Sequence, residues 1–187
     1  ELLGFNALLI DNPKYIKNPD AIILPGVGAF REAMKSLKKL RLIDPLKEVV
    51  LDSKKPLLGI CLGMQLLASK SEENGKYEGL SFIPGTVKKI PQKKNIRLPH
   101  IGWNEIELQN KSQVFNGIKN RDSFYFVHSY RFECEQEYIL ATTNYGGNIV
   151  ASVQSKNIFG MQFHPERSQR KGLHLLNNFA NYVSEIC

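Results

Sequence analysis

The sequence predicts an α/β fold: a mostly parallel central sheet flanked by helices, with an antiparallel strand extension. Three observations carry this. Over residues 5–67, short apolar runs alternate with segments of helical period, which is the pattern of a parallel sheet with right-handed crossovers. Over residues 80–163 the signals are mostly strands separated by turn residues. Residues 172–186 then form one helix with Leu175, Leu176, Phe179 and Val183 at core spacing. No repeat or low-complexity linker interrupts the chain, and 187 residues at 42% hydrophobic content suffice for a full core, so 1–187 reads as one domain.

In order, residues 5–10 are apolar and strand-like, closed by Asp11-Asn12-Pro13. Ala21-Ile22-Ile23-Leu24 is a second buried strand, ended by Pro25-Gly26-Val27-Gly28. Residues 31–40 place Met34, Leu37 and Leu40 on one helical face with lysines opposite. Residues 42–51 add a helical turn or two, with Pro45 tolerated near the start. Leu57-Leu58-Gly59-Ile60 is too short for a helix and suits a strand covered on both faces. Residues 71–79 are polar and loop-like. Strands are then expected at 86–90, 103–108, 124–132, 138–144, 149–154 and 158–163, with hairpin turns at Gly146-Gly147 and Lys156-Asn157.

Composition excludes several classes of function. No apolar run is long enough to span a membrane, and the first residues lack the basic start and apolar segment of a signal peptide. Three cysteines without a C-x-x-C pair argue against a disulfide framework or a metal site and for a reducing cytoplasm. The net charge of +7 comes from dispersed lysine doublets without interleaved aromatics, so it reads as solvated surface and not as a nucleic-acid face. No Walker or dinucleotide fingerprint appears, and no cofactor is called for.

The chemistry gathers at Cys61. Gly59 and Gly63 flank it in the G-x-Nuc-x-G pattern of a nucleophile elbow, with Cys as the nucleophile. Taken alone, a cysteine is more often a small buried core residue. An elbow after a buried strand favours a nucleophile, since the helix that follows directs N–H groups and a positive dipole end toward Sγ. Such a nucleophile needs a base. His164 ends the strand at 158–163, at the rim where α/β active sites gather, and Glu166 lies two residues on, able to fix its tautomer. His100, His128 and His174 are weaker candidates, although His128, beside Ser129 and Tyr130, could line a pocket. Gly26, Val27 and Gly28 follow a strand directly and could turn backbone N–H groups toward an oxyanion.

These residues resemble the class I glutamine amidotransferases, and within them the glutaminase subunits of imidazole glycerol phosphate synthase, over essentially the whole chain. The resemblance rests on Leu24-Pro25-Gly26-Val27-Gly28-Ala29-Phe30, on the stretch from Gly59 through Cys61 to Leu67, and on Ser71-Glu72-Glu73. It continues through Leu98-Pro99-His100-Ile101-Gly102-Trp103-Asn104, Tyr125-Phe126-Val127-His128-Ser129-Tyr130 and Gln162-Phe163-His164-Pro165-Glu166-Arg167-Ser168. It implies a flavodoxin-like topology and a Cys61–His164–Glu166 triad that hydrolyses glutamine to glutamate and ammonia. It also implies an oxyanion hole from the Leu62 N–H and one from residues 26–28, and substrate contacts from Gln65, Glu73, Ser129 and Tyr130. Trp103, Tyr125 and Arg167 would face a (β/α)8-barrel synthase subunit that receives the ammonia. A paralogue feeding a sugar amidotransferase would share this triad, and a regulatory module with lost catalysis is the reading from another class. The family's doubly wound sheet starts about twenty residues earlier with a central strand. Glu1-Leu2-Leu3-Gly4 resembles the end of the first helix, so the resemblance implies that these 187 residues lack that strand.

Overall fold

The computed structural model describes residues 4–94 and 96–186. Apolar runs become strands where a ladder partner is within reach. β1 (Ile22–Leu24), α1 (Phe30–Lys39) and α2 (Ile43–Lys47) come first, α2 passing into a wider helical turn at Glu48–Asp52. Next come β2 (Leu57–Ile60), α3 (Leu62–Leu66), β3 (Lys70–Ser71), β4 (Tyr77–Glu78) and β5 (Thr86–Lys89). β6 (His100–Glu105), β7 (Glu107–Leu108), β8 (Ser123–His128) and β9 (Tyr130–Glu133) follow. β10 (Ile139–Asn144), β11 (Asn148–Ser155), β12 (Ile158–Met161) and α4 (Gln169–Ile186) complete the chain.

The main sheet runs β1-β2-β12-β11-β10-β7. β2 lies between β1 and β12 and is parallel to both, while β11, β10 and β7 continue the sheet antiparallel. This is the expected parallel core with its antiparallel extension. Successive residues of β2 and β12 feed opposite faces, as strand alternation requires. Leu57 and Ile158 join α1, α2 and α3 in one apolar core. Leu58, Ile60, Phe159 and Met161 join Leu175 and Phe179 of α4 in the other. The sheet is thus sandwiched, and its central strands are apolar throughout. Two smaller sheets, β4-β3-β5-β9 and β6-β8, lie beside it.

Three local expectations are corrected. Residues 5–10 form no strand: Leu8 and Leu9 are exposed, and among the described residues β1 pairs only with β2. A run apolar on both faces needs a neighbouring ladder, and none reaches it among the described residues. The strand expected at 103–108 is two strands, because fully buried Ile106 breaks it; Glu105 pairs with Ser123 in one sheet and Glu107 with Thr142 in another. The strand expected at 124–132 divides at Ser129, whose carbonyl accepts the Ile90 N–H, so β8 pairs with β6 and β9 with β5. Among the described residues, no helix is long and apolar enough to cross a membrane.

Candidate active site

β2 delivers the chain to Cys61, whose φ of 53° and ψ of −110° lie outside the regions that L-residues ordinarily occupy. The elbow is tight because its two glycines are contact points. A Cβ on Gly63 would lie 1.7 Å from the Leu24 carbonyl oxygen of β1, and one on Gly59 would lie 2.7 Å from the Gly63 carbonyl oxygen. Only hydrogen fits at either position, so α3 starts against the end of β1. The Cys61 N–H donates to the Met161 carbonyl at 2.7 Å, which ties the elbow to the end of β12.

β12 ends just before His164. The imidazole Nδ1–H donates to Glu166 Oε1 at 2.7 Å, and the His164 N–H donates to the Tyr125 carbonyl. Ser168 locks this loop: its hydroxyl donates to the His164 carbonyl and accepts from the Tyr125 N–H. Nε2 is buried and makes no hydrogen bond of ordinary geometry among the described residues. The Cys61 side chain and the Glu166 carboxylate outweigh burial and raise His164 from 6.5 to about 9. Burial alone would raise the Glu166 carboxyl, but its bond to His164 wins and lowers it.

A cavity of about 290 Å³ brings the candidates together. Val27, Gly28, Cys61, Leu62, Gln65 and Glu73 line it. Ser129, Tyr130 and His164 also line it, with Pro99, Val127 and His128. Gly26 stands behind the wall, where its Cβ position is 3.2 Å from the Leu62 Cβ. Glu166 reaches the site through His164. Glu73 Oε2 accepts the Phe30 N–H at 2.7 Å, so it caps the start of α1 just beyond residues 26–28. Trp103, Tyr125 and Arg167 lie apart. Trp103 and Tyr125 pair across β6 and β8 with rings edge to face at 6.3 Å, and the Arg167 guanidinium lies 5.1 Å from the Tyr125 ring centre. Exposed Ile101 and half-exposed Trp103 make the outer face of this ribbon apolar.

Two contributors escaped the sequence reading. The Val127 carbonyl lies 3.8 Å from Cys61 Sγ. Gln162 is fully buried, accepts from Gln65 Nε2 at 2.9 Å and donates toward Sγ at 3.9 Å. A lone polar residue inside an apolar strand was the available signal for Gln162, because a buried amide needs partners. Val127 acts through its backbone, which leaves no sequence signal. Among the described residues, no cluster of His, Cys, Asp and Glu is arranged to hold a metal.

The glutamine amidotransferase class-I family profile matches residues 5–182. The chain is 49% identical over 180 residues, 96% of this chain and 90% of the relative, to imidazole glycerol phosphate synthase subunit HisH 1 of Campylobacter jejuni subsp. jejuni serotype O:23/36 (strain 81-176). It is 45% identical over 182 residues, 97% of this chain and 85% of the relative, to subunit HisH of Moorella thermoacetica. It is 43% identical over 188 residues, covering 100% and 89%, to that of Aquifex aeolicus. Among solved structures, a glutamine amidotransferase superposes with a TM-score of 0.72 at 19% identity, covering 96% of this chain and 89% of that one, which speaks to the fold alone.

Proposed function

We propose, from the premise that this chain belongs to the class I glutamine amidotransferases, that it is the glutaminase subunit of an imidazole glycerol phosphate synthase, active in the cytoplasm in histidine biosynthesis. Residues 1–187 serve as one amidotransferase domain. The observation that carries the reading is the meeting of Cys61, on its strained elbow, with the Glu166-bound His164 in one cavity.

The Cys61 sulfur attacks the carboxamide carbon of glutamine, and the Leu62 N–H and one from residues 26–28 hold the oxyanion. His164 protonates the leaving nitrogen, the C–N bond breaks, and ammonia departs from a γ-glutamyl thioester. Water then attacks the thioester while His164 takes its proton, releasing glutamate and restoring the thiol. Glu166 keeps Nδ1 protonated and Nε2 aimed at the reaction. Gln65, Glu73, Ser129 and Tyr130 hold the amino-acid end of glutamine. The ribbon bearing Trp103 and Tyr125, with Arg167, docks the (β/α)8-barrel synthase subunit that consumes the ammonia.

The test is glutamate release from glutamine by the complex with that barrel subunit. Turnover by the wild type and none by Cys61→Ala supports the reading; turnover undiminished in Cys61→Ala overturns it. Complementation of a histidine auxotroph separates this role from ammonia supply to a sugar amidotransferase.

A further inference from the structure

The reaction as written uses neither His100 nor His128, although both are buried and His128 lines the same cavity. They sit opposite each other across β6 and β8. His128 Nδ1 lies 2.8 Å from the Tyr130 carbonyl, His100 Nδ1 lies 3.0 Å from His128 Nε2, and Asn104 Nδ2 lies 3.3 Å from His100 Nε2. A carbonyl only accepts, so His128 Nδ1 carries the proton and Nε2 is a lone pair. His100 Nδ1 must then donate to that lone pair, which leaves its Nε2 to accept from Asn104. One tautomer of each ring satisfies the whole chain, and both rings are neutral. Phe126 and Tyr145 stack on His100 at 4.8 and 3.8 Å, which fixes the plane of its ring.

The Tyr130 carbonyl is the junction. It accepts from His128 and also from Gln65 Nε2 at 3.2 Å. The other Gln65 amide hydrogen goes to Gln162. With both hydrogens engaged, what Gln65 can still offer the cavity is Oε1. A displaced Tyr130 carbonyl would therefore release the Gln65 amide to rotate, exchanging acceptor for donor.

We propose that His100 and His128 are positioning residues that set the Tyr130 carbonyl, and through it the Gln65 amide, for the glutamine substrate. The proposal rests on the glutaminase reading. Burial holds both imidazoles low, at about 4, and His164 adds a further charge that disfavours protonation of His128. Burial, with the nearby Glu73 carboxylate, raises the Tyr130 phenol, so Tyr130 carries no charge at neutral pH. The relay thus keeps one direction throughout the neutral range.

The test separates the two imidazole nitrogens. In His128→Asn the side-chain amide reaches the Nδ1 position and donates to Tyr130; in His128→Gln it reaches only the Nε2 position. In the complex with the barrel subunit, His128→Gln should raise KM for glutamine about three- to tenfold, the range for one neutral hydrogen bond, with kcat held within about twofold. His128→Asn should return KM to near the wild-type value at a similar Tm. Equal KM values for the Asn and Gln variants, or a loss confined to kcat, would overturn the proposal. Nitrogen-15 NMR of the wild type is a readout independent of turnover. His128 protonated at Nδ1 alone supports the relay, and a cationic or Nε2-protonated ring refutes it. Absence of glutamine turnover by the wild-type complex would instead count against the functional reading.

Discussion

Gly63→Ala tests how the elbow is built. The added Cβ would lie 1.7 Å from the Leu24 carbonyl oxygen and 2.8 Å from its carbon, against a closest tolerated approach of 3.0 Å. Backbone of β1 and α3 must separate by at least about 1.3 Å to admit it. No flexible side chain can absorb the shift, because both partners are backbone. Overpacking of this kind costs about 1–3 kcal/mol, which for a chain of this size lowers Tm by about 2–12 °C. The effect on activity should be larger, since a displacement of about 1 Å at a reacting group costs about a hundredfold in rate. Residues 26–28 and the Leu62 N–H lie on the two sides that are pushed apart, so the oxyanion contacts go first. Thermal unfolding followed by circular dichroism and glutamate release by the complex measure the two effects. A variant with activity within about threefold of wild type and an unchanged Tm would refute the account of the elbow.

The Glu166–His164 pair predicts a window of pH dependence. His164 is raised to about 9 from 6.5, so its stabilising share is full below 6.5 and is lost as pH rises through 9; Glu166 is lowered from 4.5, so its share is present above 4.5 and lost as pH falls further. The Tm difference between wild type and Glu166→Gln should therefore be greatest between about pH 4.5 and 6.5, and NMR titration should place His164 lower in the variant. Trp103→Ala should weaken binding of the barrel subunit about tenfold or more by calorimetry, with glutamine affinity unchanged, as loss of an exposed aromatic anchor implies. Leu175→Ala, in the fully buried face of α4, should cost about 2–5 kcal/mol in urea unfolding and leave KM unchanged.

Much of the candidate site's geometry was legible because the proposed chemistry demands particular residues. A nucleophile on an elbow excludes a Cβ at Gly59 and Gly63, and the contact distances at those glycines supply the reason. A histidine ending a buried strand with a glutamate two residues on left little room for another pairing, and the 2.7 Å bond is there. What escaped depended on geometry that sequence does not carry. The break at Ile106 arises because one residue turns into the core while its neighbours join different sheets. The run at 5–10 has the composition of a strand, yet a strand also needs a ladder partner. His100 and His128 are 28 residues apart, and only the pairing of β6 with β8 makes them a relay. Their segments were among those that carried the resemblance, while their physical role waited on the register.

The central claim is that Cys61 carries the γ-glutamyl group. Acid quenching of the glutamine-loaded complex during turnover, followed by peptide mass spectrometry, tests it directly. The account predicts a mass increment of one γ-glutamyl group on the peptide containing Cys61, absent from Cys61→Ala and lost on His164→Ala. An adduct on the Cys134 peptide instead, or steady glutamate release that persists in Cys61→Ala, would contradict it.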